Sequence, residues 1–445
     1  MGYGTGVKGT RRAAQPASRQ RVVRLGVDVP LLLVMFTLLV VGMLMVYSAS
    51  WDFSLAIYDD PSFVFRRQLL WAVLGVGVAV FCTFFNYHFW RKLAVPAMLL
   101  TILGLAAVLI ANEVRFGAAR TLFAGSYQPS ELAKIVIVIY LSVWLYSKRE
   151  HLGDVSFGLF PLAAILGVIG GLIFLQPDLS AVLTIFALGG IMFFLAGGDT
   201  KQIAILLIAT LLVGWLVVRV SPTGRERVES YLEGVRDPTE ASYHVRRSWE
   251  AFVKGGWIGK GIGNADTKFT GLPVPPTDSI FAVIGEETGV LGATGVILLY
   301  SLLLWRGLEI ARRAPDLLGA LLAGGLSLWI AMEALINMMV IVGLAPFAGN
   351  ALPFISAGGS NLLASLTAVG IVLNVSRLAH RKEQEQAKTA IPVVDFQKRG
   401  LRLLRARRAA ARSARQPTGT AQREPSSLSK PLRGNRRKPQ ARQVR

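Results

Sequence analysis

The sequence predicts an all-α integral membrane protein of about ten transmembrane helices, with a large extracytoplasmic loop between spans seven and eight. Three observations carry that prediction. The 445 residues are 53% hydrophobic with a mean hydropathy of +0.49, too apolar for an ordinary soluble domain. Apolar runs of about 20 residues recur along the chain, each long enough to cross a hydrocarbon core. The Lys and Arg residues of the short connections favour alternate sides of those runs, as the positive-inside rule requires, with the outer connection 112–127, which holds Arg115 and Arg120, as the exception.

The first 24 residues hold six Lys/Arg, no acid, and none of the apolar core of a cleavable signal peptide. Spans are then expected near 29–50, 68–85, 93–111, 129–147, 157–175, 179–197, 202–220, 279–305, 317–342 and 354–378. With a cytoplasmic amino terminus, the inner connections carry Arg91 and Lys92, Lys148 and Arg149, Lys201, and Arg306, Arg312 and Arg313. The outer connection after the first span carries Asp52, Asp59 and Asp60 instead. Both termini are therefore expected in the cytoplasm. The outer loop, 221–277, mixes both signs of charge, which long loops carry across regardless. A loop of that length asks for a function, and Trp249, Phe252, Trp257, Ile258 and Phe269 give it apolar material to pack.

The chain thus divides into a basic amino-terminal tail (1–27), a membrane domain (28–380) and a basic, largely disordered carboxyl tail (381–445). The formal charge of +21 belongs to the tails: from Arg381 onward there are 19 Lys/Arg against four acids, whereas 25–380 balances 23 against 23. No stacking aromatics or nucleic-acid module accompany the charge, so no nucleic-acid partner is expected. Attraction to anionic membrane lipids is the physical consequence of such tails. The stretch KRGLRLLRARRAAARSAR from Lys398 reads either as a basic amphipathic helix on the inner leaflet or as a solvated basic tail. The Pro/Ser/Arg-rich sequence after Gln416 is expected to be disordered. Cys82 is the only cysteine, which excludes an internal disulfide and a thiol metal cluster.

Charged groups within spans are costly and mark functional candidates. Glu131 and Lys134 lie three apart in QPSELAK and share a helical face. They read as a mutually neutralising packing pair or as a polar wall for a charged substrate. Gln176, Pro177 and Asp178 sit where the fifth span meets the sixth; Pro177 and Asp178 suit a helix start, with Asp178 capping it. Glu333, with Asn337 one turn later, should face the bundle interior. Asp278 follows a rigid proline-rich approach, LPVPPTDS, and reads as a plain N-cap or as a general base at the membrane boundary. Glu286 and Glu287, two turns on, read as partners for Lys/Arg or as supports for a second polar group. GGWIGKGIGNA has no preceding strand and lies outside, so it is not a nucleotide loop. LPFISAGGSN, with Ser356 and Ser360, offers either an anion site of helix-start N–H groups or a re-entrant turn.

Five segments in order, RFGAARTLFAGSYQPSELAK, FLQPDLSAVL, SWEAFVKGGWIGKGIGNA, LPVPPTDSIFAVIGEETGVLGA and GLAPFAGNALPFISAGGSNLL, resemble the signatures of the SEDS family (shape, elongation, division, sporulation), the FtsW/RodA group. The similarity runs from the first span to His380. It implies a ten-span glycosyltransferase of the cytoplasmic (inner) membrane that polymerises lipid II into a growing lipid-linked glycan, with a class B penicillin-binding protein as partner. It implies Asp278 as the essential acid. Arg115, Arg120, Glu131, Lys134, Gln176, Pro177 and Asp178 match the family's other polar positions. As a mechanism, Asp278 serves as base, and Arg115 and Arg120, with Lys134 beside them, clamp the pyrophosphate. No cofactor is required, and a divalent cation is compatible with the scheme. The long basic tails lean towards the division branch, FtsW, and hence a septal location.

Val274, Pro276 and Ser279 depart from the family's LPE-x-HTDF pattern, His244 replaces a common glutamine, and Ala357 replaces a tyrosine. A lipid II flippase, or a non-catalytic scaffold for a penicillin-binding protein, are the competing readings.

Overall fold

The computed structural model describes residues 26–111, 114–115, 118–119, 128–176, 178–390 and 392–413. Seven helices come first: α1 (Val29–Tyr58), α2 (Phe63–Phe84), α3 (Trp90–Ala111), α4 (Pro129–Lys148), α5 (Leu159–Phe174), α6 (Leu179–Leu195) and α7 (Thr200–Val220). Between α3 and α4 a two-residue pair, β1 (Val114–Arg115) and β2 (Ala118–Ala119), runs antiparallel. The expected outer loop holds α8 (Pro222–Arg236), a 3₁₀ turn at Pro238–Glu240 and α9 (Tyr243–Gly255). Then come α10 (Ile280–Arg312), α11 (Leu317–Ile341), α12 (Gly359–Ala390) and α13 (Pro392–Ser413). The chain forms two compact units, one ending at Gln384 and a second, containing α13, from Glu385 on.

Each expected span coincides with a helix. Eight helices among the described residues are long and apolar enough to cross a membrane; α5 and α6, with 16 and 17 residues, are shorter. At 1.5 Å per residue these two reach about 24–26 Å. Local signals explain the helix starts. Asp28 caps α1 by accepting from the Leu31 N–H at 2.9 Å, and proline opens α1, α4 and α8, where its missing N–H costs nothing. The core sits around α11, α12 and α4, where Trp329, Ile330, Leu366, Val369 and Ile137 are fully buried. By contrast α7 exposes Leu207, Leu211, Leu212 and Trp215, an apolar surface suited to lipid.

Two expected spans differ in detail. The eighth is not one continuous helix, because Gly289 adopts φ 69°, ψ −172° and breaks α10 into 280–288 and 290–312. The break exists because the glycine-rich loop packs into it. Val290 and Leu291 N–H groups donate to Gly256 and Trp257 carbonyls at 2.9 and 3.2 Å, and Lys260 and Gly261 N–H groups donate to Glu286 and Glu287 carbonyls at 3.0 Å. A Cβ on Gly259 would stand 2.2 Å from the Glu287 carbonyl oxygen, so only glycine permits this approach. The first piece is buried throughout from Ile280 to Glu287, inside protein rather than in lipid. The tenth span begins at Gly359 instead of 354; residues 353–357 form a buried turn, with Phe354 at φ 68°.

Candidate functional site

Asp278 ends a loop whose shape is set by its own sequence and then fastened from three sides. Pro273, Pro275 and Pro276 fix their φ angles, and Val274 between them sits at φ 43°, a region that β-branched residues rarely enter. The three carbonyls that follow are each held by a different donor. The Ala357 N–H donates to Pro276 O at 2.8 Å, the Ser356 hydroxyl to Thr277 O at 2.7 Å, and Asn337 Nδ2 to Asp278 O at 3.0 Å. Asn337 also donates to Asn350 O at 2.6 Å. At about 1 kcal/mol net each, these bonds favour one conformation of the peptide carrying Asp278.

The N-cap residue of α10 is Ser279, and it makes no capping bond; its hydroxyl turns back to Pro273 O at 2.7 Å. The cap position of α10 thus belongs to Ser279 and not to Asp278. Its side chain is half-buried, and Gly349 lies against it: a Cβ at 349 would be 2.9 Å from Oδ2.

His244 completes this side. Its Nδ1 lies 3.4 Å from the Ser279 hydroxyl, which donates to Pro273 O, so a hydrogen bond between the two calls for the Nδ1–H tautomer. The ring stacks on Phe347, with centroids 4.2 Å apart. Burial, then the charge of Arg227, pulls its pKa down to about 4, so it is neutral at physiological pH.

A second cluster joins α4, α6, α11 and α12. Lys134 Nζ contacts Glu131 at 3.0 Å and Glu333 at 2.6 Å, and Asn361 Nδ2 donates to Glu131 Oε2 at 2.8 Å. All four side chains are buried. Two of the three ammonium donors of Lys134 are thus taken by carboxylates. Asp178 caps α6 through Ala181 N at 3.3 Å, as its position suggested, and accepts from Ser130 and Ser180. Glu333 and Asn337 are one turn apart on α11, about 6 Å between Cβ atoms, so this helix links the charged cluster to the Asp278 loop.

The other sequence candidates fall as follows. Ser356 holds Thr277, and Ser360 accepts from the Gln128 N–H at 3.2 Å. In the turn before α12, the Leu352, Ala357 and Gly358 N–H groups are bound to Ser356 Oγ, Pro276 O and Gln68 Oε1. Gln176 is fully buried and donates to Leu105 O at 2.9 Å, bracing α5 against α3. Arg115 lies in β1, where only its backbone is described; Arg120 and Pro177 lie outside the described residues. Glu286 accepts from Asp266 and Thr267 N–H groups at 3.0 and 3.1 Å, and Glu287 pairs with Lys268 at 2.8 Å and accepts from Ser48 at 2.5 Å. Among the described residues no three His, Cys, Asp or Glu converge as a metal site.

Asn361, Gln68 and Gly349 were missed by sequence reasoning. Gln68 carried a signal, a polar residue opening an apolar run; the other two carried none that separates them from ordinary loop residues.

An apolar cavity of about 270 Å³ lies between α6, α7, α8 and α11, walled by Leu183, Val213, Val340 and Phe347, with Arg227 among its lining residues. Ala348 closes one side, and the next residue is the Gly349 that abuts Asp278. A half-buried carboxylate on a fastened loop can take a proton from a substrate held against it.

A family model described as cell cycle protein, covering FtsW, RodA and SpoVE, matches residues 29–381. The chain belongs to this family. It is 38% identical over 357 residues, 78% of this chain and 93% of the relative, to a probable peptidoglycan glycosyltransferase FtsW of Trichlorobacter lovleyi. It is 36% identical over 354 residues, 79% and 97%, to stage V sporulation protein E of Bacillus subtilis. Among solved structures, a chain from a peptidoglycan synthase complex, described for its coordination of polymerization and crosslinking, matches with a TM-score of 0.65 and 27% identity, covering 80% of this chain and 99% of that one. The rod shape determining protein RodA of Thermus thermophilus matches with a TM-score of 0.59 over 80% and 98%; at 24% identity it shows a shared fold. The FtsW/RodA/SpoVE match covers α1 to α11, most of α12 and the loop that carries Asp278, and leaves both basic tails, α13 included, outside it.

Proposed function

We propose that this FtsW/RodA/SpoVE member is a peptidoglycan glycosyltransferase that polymerises lipid II at the outer face of the cytoplasmic membrane, with Asp278 as general base. The observation that carries the reading is the fastening of three successive carbonyls, Pro276 to Asp278, by donors from α11 and the turn before α12. Such rigidity suits a group that must meet a reacting atom. The names of the relatives, probable peptidoglycan glycosyltransferases, point to the same activity.

In this scheme Asp278 accepts the proton of the acceptor sugar 4-hydroxyl as its oxygen attacks the donor's anomeric carbon. The bond from that carbon to the pyrophosphate breaks, the configuration inverts, and the polyprenyl pyrophosphate leaves with the electron pair. That leaving group needs charge stabilisation rather than a proton. Arg115 and Arg120 supply it as bidentate donors. Lys134, committed to Glu131 and Glu333, serves as a brace for α4 and α11 rather than as part of the clamp. The apolar cavity beside Phe347 accommodates a segment of a lipid tail. Ten spans, with α5 and α6 included, put both termini in the cytoplasm and the α8–α9 loop outside. A class B penicillin-binding protein is the partner this reading calls for, in keeping with the solved complex that couples polymerization to crosslinking.

The test is purified protein with its partner and labelled lipid II in detergent. Lengthened glycan, separable on gels, is expected. Lipid movement across liposomes with no polymer would replace the enzyme reading with a flippase, and neither activity would leave a scaffold.

A further inference from the structure

We propose that α13 is a surface-seeking helix that docks on anionic phospholipid at the inner face of the membrane. Its 22 residues hold seven Lys/Arg and one acid, Asp395. The helical register divides them. Leu404 and Ala411 share one face, seven apart, flanked by Leu401 and Leu403. Arg402, Arg405 and Ala409 lie on the other side. Arg407 and Arg408 flank the apolar row, where long cationic side chains can bury their stems and keep their heads in water.

Leu401, Leu403 and Leu404 are 57%, 68% and 62% exposed. Three large leucines in water on a helix of this charge need a cover that is apolar in its interior and negative at its surface. The cytoplasmic leaflet has both properties, whereas a nucleic acid offers no apolar bed for the leucine row. Only residue 391 lies between α12 and α13 in sequence, so α13 is tethered to a membrane-spanning helix and samples the leaflet at high effective concentration. One basic helix on its own would bind weakly; tethering makes the contact persistent. The proposal rests on the cytoplasmic placement of the carboxyl terminus and is independent of glycan chemistry.

Two alanines two positions apart provide the test. In a Cys82→Ala background, Ala411→Cys and Ala409→Cys place a polarity-sensitive dye on the apolar and basic sides of α13 in the full-length chain. Nanodiscs of phosphatidylcholine, or of equal parts phosphatidylcholine and phosphatidylglycerol, expose both leaflets to α13 whatever the orientation. The expected result is blue-shifted emission and quenching by brominated lipid at 411 in the anionic discs, solvent-like emission at 409, and reversal in high salt. Replacing Arg402 and Arg405 with Gln should lower the insertion equilibrium constant, read as the ratio of inserted to solvent-like emission, about fivefold for each charge. Equal emission at 411 and 409 in anionic discs, or equal insertion at 411 in neutral and anionic discs, would overturn the proposal. So would a shift at 411 that appears only on adding RNA or an acidic protein.

Discussion

Gly349→Ala is a small change that moves the proposed base without unfolding its surroundings. The added Cβ would stand 2.9 Å from Asp278 Oδ2, against about 3.4 Å for ordinary contact. The nearest atom is the tip of a side chain, so the carboxylate yields, by about half an ångström. Gly349 does not occupy the left-handed region, so alanine is compatible with its backbone and removes unfolded-state freedom, an effect of about 0.4–1 kcal/mol in favour of the fold. Stability should hold while chemistry suffers. A misplacement of about 1 Å costs up to about 100-fold, so half of that should slow turnover roughly tenfold. The assay is the initial rate of lipid II polymerisation at saturating substrate, beside a thermal-shift midpoint on the same preparation. Wild-type turnover at an unchanged midpoint would refute the assignment of Asp278 as the reacting group. A collapsed midpoint would refute the claim that its carboxylate is the part that moves.

Other outcomes follow from the same geometry. Asn337→Ala leaves the Asp278 and Asn350 carbonyls without this donor, at about 1–3 kcal/mol each, and should lower both midpoint and rate; denaturation and turnover measured together check it. Lys134→Met strands Glu131 and Glu333 without their cation, and the expected loss is about 3–5 kcal/mol, partly recovered when Glu333 is also made apolar; a double-mutant cycle on thermal midpoints reads the coupling. His244 has a folded pKa of about 4, below its ordinary 6.5. The unfolded chain therefore binds the proton first, and this contribution to stability is intact above pH 6.5 and is lost as pH falls towards 4. His244→Gln should flatten the midpoint profile across that window; an unchanged slope would show that the ring is not the group responsible.

How far the sequence reached depends on the range of the interaction. Helices were legible because their cause is local: an apolar run in the right length class needs its backbone paired within itself in lipid. The α10 break was not, because its cause is the loop 30 residues earlier that packs against Gly289, and hydropathy does not distinguish a helix buried in protein from one buried in lipid. Asp178 as a cap followed from its place before an apolar run. Glu131 and Lys134 were legible as neighbours, but the tighter partner, Glu333, is 199 residues away. Asp278 stood out by its proline-rich approach and by the resemblance of its segment to a family signature. What holds it did not, since Asn337 and Ser356 lie 59 and 79 residues further on from the carbonyls they bind. In SAGGSN the partners of the Ser356, Ala357 and Gly358 N–H groups, Leu352 O, Pro276 O and Gln68 Oε1, were not legible either, because two of the three come from distant segments.

Asp278→Asn tests the central claim most directly, because it preserves the shape of the side chain while removing its ability to take a proton. The measurement is lipid II polymerisation by the purified variant with its partner present, at matched thermal midpoint. A fall of about 10²- to 10⁴-fold is expected for the loss of a general base. Polymerisation at the wild-type rate would contradict the account.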